Sequence, residues 1–105
     1  MKLWIDDVRP APNKEYFWVQ SVNEAKDMIK YYKYYIDYGN NTILIDLDHD
    51  AGAEATDGGD YIKLLDWLEA NDMVDARFAF HIHSMNPVGI QNMRAIIQKN
   101  GWREI

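Results

Sequence analysis

Residues 42–50 read TILIDLDHD, and the fold follows from how this stretch divides. The first half, Thr42-Ile43-Leu44-Ile45, is a short apolar run of the kind that forms a strand buried on both faces. The second half releases Asp46, Asp48, His49 and Asp50 toward the strand's C-terminal end. In an extended segment Asp48 and Asp50 point one way and His49 the other. Asp46 comes two residues earlier. A buried carboxylate without a partner is costly, so Asp46 is expected either to face a site or to find one.

Two further strand ends carry similar chemistry. Upstream, residues 2–6 form a strand through Leu3, Trp4 and Ile5, closed by Asp6-Asp7. Residues 8–16 contain two prolines, Asn13 and several charges and read as a loop, in which Arg9 lies near enough to reach the acidic pair. A short second strand is expected at 17–20. Ser21 then fits a helix N-cap with Glu24 three residues on, the capping-box spacing. Ala25, Met28, Ile29, Tyr32 and Ile36 recur at helical intervals behind it. Gly39-Asn40-Asn41 stops that helix.

Downstream, residues 51–59 read as loop and 60–70 as a helix. Ile62, Leu65 and Leu68 are its inward face, and Lys63 and Asp66 its outward one. Residues 71–76 are a turn region. Residues 77–82 form a fourth strand, ending at His83-Ser84-Met85, with His81 and His83 on one face. Asn86-Pro87 starts a helix, with Asn as cap and Pro at the first helical position, and Ile90, Met93 and Ile97 as its apolar stripe. Asn100-Gly101 ends it, and residues 102–105 offer a short last strand. The tyrosines at 31, 32, 34, 35 and 38 cover more than one face of their helix. Trp4, Trp18, Trp67 and Trp102 read as core or half-core.

The order is β, loop, β, α, β, α, β, α, β. Alternation of this kind implies a parallel sheet, right-handed crossovers and helices on both faces, with one helix missing between the first two strands. Open sheets of this type place their sites at the C-terminal ends of the strands, where the acidic and histidine-bearing tips fall.

Size and composition fit one domain over residues 1–105. Such a chain buries roughly two-thirds of its unfolded surface. It has no cysteine, which excludes disulfides and thiolate metal sites. No apolar run approaches ~18 residues, so no membrane association is expected. The N-terminus reaches charge after three apolar residues, unlike a signal peptide, and a cytoplasmic protein is expected. A formal net charge of −6 argues against binding an extended DNA or RNA backbone by charge alone. A small phosphate ester is compatible if a divalent cation lies between it and the acids.

Asp6-Asp7 alone reads equally well as loop solvation or a cap. Set opposite Asp48, the pair reads as a hard-cation site, since crowded carboxylates repel and Mg²⁺ takes one or two of them with phosphate oxygens. His49 is open to acid–base, ligand or structural roles. Ser84, Asn86 and the amides after Pro87 either cap the helix or seat a phosphate, and one geometry serves both.

The pattern of an acidic pair after the first strand, an aspartate after the third and a Ser after the fourth resembles a response-regulator receiver domain. IDDVRPAP, DLDHDAG and IHSMNPVGIQNM more closely resemble the cyclic-phosphate processing receiver domain family, and the likeness covers nearly the whole chain. The resemblance implies an α/β, flavodoxin-like doubly wound parallel sheet of order 2-1-3-4-5, with the first helix missing or reduced. It implies that Asp6, Asp7 and Asp48 are metal ligands, Asp48 being the phosphoacceptor position, and that Ser84 is the hydroxyl residue. His49, Asp50, His83 and Asn86 match the cyclic-phosphate branch. The expected activity is metal-assisted processing, with Mg²⁺ or Mn²⁺, of a cyclic or terminal phosphate on a nucleotide or RNA end. His49 and His83 would be acid and base, with Asp50 orienting His49 or contributing to the metal site, and Arg9, Ser84 and Asn86 orienting the phosphate. The alternative is a stand-alone receiver phosphorylated on Asp48 that acts through a partner. The chain departs from receivers in lacking a lysine after a fifth strand, in its absent first helix and in the spacing of the loop after Asp48.

Overall fold

The computed structural model describes residues 1–36 and 41–105, without the side chains of residues 35 and 36. The helix stop read at Gly39-Asn40, Tyr38, and the side chains of Tyr35 and Ile36 lie outside the described residues. Four parallel strands, β1 (Lys2–Ile5), β2 (Tyr16–Val19), β3 (Ile43–Leu47) and β4 (Phe78–Ile82), form one sheet in the order β2-β1-β3-β4. This is the flavodoxin-like, receiver-like arrangement, with the helix between β1 and β2 reduced to loop. The expected fifth strand is a single parallel bridge, Phe80 to Glu104, on the outer edge of β4. It rests on two hydrogen bonds of 2.8 Å, from Phe80 N–H to Arg103 and from Ile105 N–H to Phe80.

Helix α1 (Val22–Tyr31) starts where Ser21 Oγ accepts the Glu24 amide at 3.1 Å, and it runs on into a π-helical turn, Tyr32–Ile36. The Glu24 carboxylate reaches the Gln20 amide, one residue ahead of the cap. A short 3-10 segment (Gly52–Thr56) interrupts the expected loop before α2 (Ile62–Ala70). Lys63 and Asp66 face outward as expected, but Leu64 joins Leu65 and Leu68 in the core while Ile62 is only half-buried. In α3 (Pro87–Lys99), Gly89 is buried with Met93 and Ile97, and Ile90 is half-buried. Gly89 takes the inward place because a side chain from the tip of β3 fills the space beside it.

Alternation divides the sheet sharply. Leu3, Ile5, Val19, Ile43, Ile45, Leu47, Phe78 and Phe80 share one face and one buried cluster with residues of all three helices, including Val22, Ile29, Leu65, Met93 and Ile97. The opposite face carries Lys2, Trp4, Trp18, Leu44, Asp46 and His81. Among the described residues no helix covers it. Right-handed crossovers explain this. The steps β2 to β3 and β3 to β4 run in the same direction across the sheet, so their helices share a face. Only the step from β1 to β2 runs the other way, and its helix is the missing one. Helices on both faces were expected; the described helices lie on one. Trp18, expected in the core or half-core, is 42% exposed on the uncovered face at the sheet edge, while Trp4, Trp67 and Trp102 are half-buried.

Candidate metal and phosphate site

The three chemical tips meet because the sheet's hydrogen bonding continues one residue past the strands. Asp6 N–H donates to Val19, Asp48 N–H to Ile5 at 2.9 Å, and His83 N–H to Leu47 at 3.0 Å. The segments carrying Asp6, Asp48 and His83 are thereby laced together at the C-terminal edge.

Asp6, Asp7 and Asp48 each present an oxygen within 4.8 Å of the others. Asp6 is fully buried and Asp48 is 8% exposed. Asp6 Oδ1 accepts the amides of Val8 at 3.0 Å and Arg9 at 2.8 Å, so the chain wraps around it in a tight turn. Burial pushes the Asp6 carboxyl up, but the Arg9 and Val8 amides and then His83 outweigh it and hold it below its ordinary value. Arg9 Nε lies 3.5 Å from Asp6 Oδ2, with its side chain half in solvent. The field of the cluster reaches Tyr61, whose phenol is pushed up by burial and then by Asp7, Asp6 and Asp48.

Gly52 faces Asp7. Its φ is +56°, and a Cβ built there would overlap Asp7 Oδ2. The glycine thus leaves the carboxylate room that any side chain would take. Three oxygen donors with space kept open beside one of them fit a hard divalent cation such as Mg²⁺ or Mn²⁺.

His83 is bound at both ring nitrogens. Nδ1 lies 2.7 Å from Asp46 Oδ1 and Nε2 lies 3.0 Å from Asp6 Oδ2. A carboxylate oxygen therefore stands at hydrogen-bond distance from each ring nitrogen. The ring also stacks on Trp4, centroids 3.7 Å apart and planes 2° from parallel. Asp46, whose partner the sequence left open, finds it here. His81 turns elsewhere, to the main-chain oxygen of Ile105 at 2.8 Å.

His49 is arranged differently. Its Nδ1 pairs with Asp50 Oδ1 at 2.9 Å, and no described contact engages Nε2. Its ring packs against Gly89. Asn86 Oδ1 accepts the Gly89 amide at 3.0 Å and caps α3, while its amide nitrogen lies 3.4 Å from Asp50. Ser84 Oγ accepts the Asn86 amide at 3.1 Å. Asn86 therefore caps α3 and lies beside His49 and Asp50, and Ser84 supports it from two residues before.

Gly52, Gly89, Trp4 and Tyr61 did not stand out in the sequence as site residues. A glycine inside a helical pattern does mark a close approach, and Gly89 carried that signal.

No helix of the described residues is long and apolar enough to cross a membrane. Comparison with curated proteins and with solved structures gives no match. The family model for the cyclic-phosphate processing receiver domain matches residues 1–99. That span takes in all four strands and every side chain described at the sheet's C-terminal edge, and on it the chain belongs to the cyclic-phosphate processing receiver domain family.

Proposed function

We propose that this domain is a metal-assisted phosphoesterase acting on a cyclic or terminal phosphate of a nucleotide or RNA end. The observation that carries the reading is the cluster of Asp6, Asp7 and Asp48 oxygens within 4.8 Å of one another, directly followed in the chain by the His49–Asp50 pair. Asp6, Asp7 and Asp48 hold Mg²⁺ or Mn²⁺, which when bound supplies Lewis-acid polarisation of a phosphoryl oxygen.

The chain's own residues do the rest. Asp50 fixes the His49 ring through Nδ1 and leaves Nε2 to move a proton. Water adds across one P–O bond: its oxygen joins phosphorus, and the proton taken by His49 ends on the released hydroxyl. Arg9, half in solvent, and the Ser84–Asn86 segment at the N-terminal end of α3 orient the phosphate. His83, with both nitrogens held by carboxylates, acts by fixing Asp6 instead of by exchanging protons with substrate.

The test is turnover of a nucleoside 2′,3′-cyclic phosphate with added Mn²⁺, followed by phosphorus NMR. Activity is expected to require the ion, to be lost in Asp48→Asn, and to fall by ~10²–10⁴-fold in folded His49→Ala. Unchanged turnover in both variants overturns the mechanism. A stable adduct on Asp48 after acetyl phosphate and Mg²⁺, with no ester turnover, points instead to phosphoacceptor signalling.

A further inference from the structure

Asp46 is a buried carboxylate outside the proposed ligand set. It is 5% exposed, and it lies on the face of β3 that no helix of the described residues covers, in register with Trp4 and His81. Its described hydrogen bond goes to His83 Nδ1 at 2.7 Å. Stability alone is a poor account of such a pair, because apolar residues of similar volume replace buried ion pairs at little or no loss. A carboxylate kept there is better explained by what it orients.

We propose that Asp46 is a positioning residue for the cation site, acting through His83 on Asp6. The proposal rests on reading Asp6, Asp7 and Asp48 as that site. Three restraints fix the imidazole. Asp46 holds Nδ1, the Trp4 indole lies parallel at 3.7 Å, and the His83 amide is tied to Leu47. With the ring so held, Nε2 has one direction, toward Asp6 Oδ2 at 3.0 Å. The other Asp6 oxygen already accepts two backbone amides, which fill its lone pairs. Oδ2 has His83 as its one hydrogen-bond partner, with Arg9 Nε farther off at 3.5 Å and half in solvent, and keeps a lone pair for a cation. His83 sets where that lone pair points, and Asp46 sets His83. The chain carboxylate–imidazole–carboxylate thus does for an oxygen ligand what outer hydrogen bonds do for histidine ligands in metal sites.

The experiment is calorimetric titration with MnCl₂ of the whole chain and of Asp46→Asn, His83→Gln and the double variant, each checked for a cooperative melt. Asp46→Asn is expected to weaken Mn²⁺ binding by ~10–100-fold, the usual cost of losing an outer partner. In the His83→Gln background the same substitution should change affinity little further, because its route is gone. Unchanged Mn²⁺ affinity with a lowered melting temperature makes Asp46 merely structural and overturns the proposal. An equal loss in both backgrounds overturns it as well, since Asp46 would then act without His83. Failure of the underlying reading looks different: the wild-type chain would bind Mn²⁺ no better than Asp48→Asn, and the proposal would fall with it. Should Asp46→Asn not fold, ring-nitrogen NMR of the wild type with Mg²⁺ decides. Resonances of both His83 nitrogens should move on ion binding, and silence at both overturns the relay.

Discussion

Gly89 lies against the His49 imidazole so closely that a Cβ on it would stand 2.7 Å from Cδ2 and 2.9 Å from Nδ1. The first turn of α3 and the tip of β3 are therefore fitted to each other through a missing side chain. Gly89→Ala should either push α3 outward or turn the His49 ring off Asp50. The expected cost is ~1–3 kcal/mol of stability, typical of overpacking, although alanine favours helix. Urea denaturation measures the first effect. Cyclic-phosphate turnover in the folded variant, expected to fall, measures the second.

Gly52 and Gly101 make a matched pair. Both have φ in the left-handed region, +56° and +66°. Replacement by alanine costs each ~1–2 kcal/mol in backbone strain. Only at Gly52 does the new Cβ meet something, the Asp7 carboxylate; at Gly101 it enters open space. Both alanine variants should melt earlier, and Gly52→Ala alone should lose Mn²⁺ affinity in calorimetry.

The parallel sheet and the acidic tips were legible because they rest on local signals, whereas the strand order was only what the family resemblance implied. TILIDLDHD divides visibly into an apolar run and a polar end, and Asn86-Pro87 announces a helix in two residues. The contacts of His83 were not legible, because its partners Asp46 and Asp6 lie 37 and 77 positions away in the chain. Spacing placed His83 at a tip but could not show both nitrogens taken. Leu64 was missed on α2 because a helix packed against both a sheet and neighbouring helices buries a wider stripe than one row of residues. The last strand was overread: residues 102–105 have strand-like composition, but one bridge to Phe80 is all that forms.

Asp57 ties the 3-10 segment to the start of α1. It accepts Ser21 Oγ–H at 2.6 Å and Asn23 Nδ2–H at 3.0 Å, and these bonds hold its carboxyl below the ordinary 3.8. With the folded value below the unfolded one, the stability it adds is present above the unfolded value and is lost as pH falls through the folded one. Urea midpoints of the wild type and Asp57→Asn should differ at neutral pH and converge at pH ~2. Ser21→Ala removes both this bond and the helix cap, and should cost at least ~1 kcal/mol.

Tyr61 is fully buried, and its hydroxyl donates to the Gln20 carbonyl at 2.7 Å. Burial, then Asp7, Asp6 and Asp48, keep its proton on beyond the ordinary 10.0. In alkaline absorbance titration Tyr61 should remain unionised at a pH where a free phenol has lost its proton. Tyr61→Phe should remove that lag and cost ~1–3 kcal/mol, because the Gln20 carbonyl is left without its donor.

The helix missing between β1 and β2 has an optical consequence. Trp4 and Trp18, on the bare side of the sheet, each donate an indole N–H at 2.8 Å to a main-chain oxygen of the acidic turn, Trp4 to Arg9 and Trp18 to Asp6. Any shift of that turn is transmitted to two chromophores at the edge of water. Cation binding at the aspartates, as proposed, is therefore expected to change the emission of Trp4 and Trp18, a label-free readout that alters no residue.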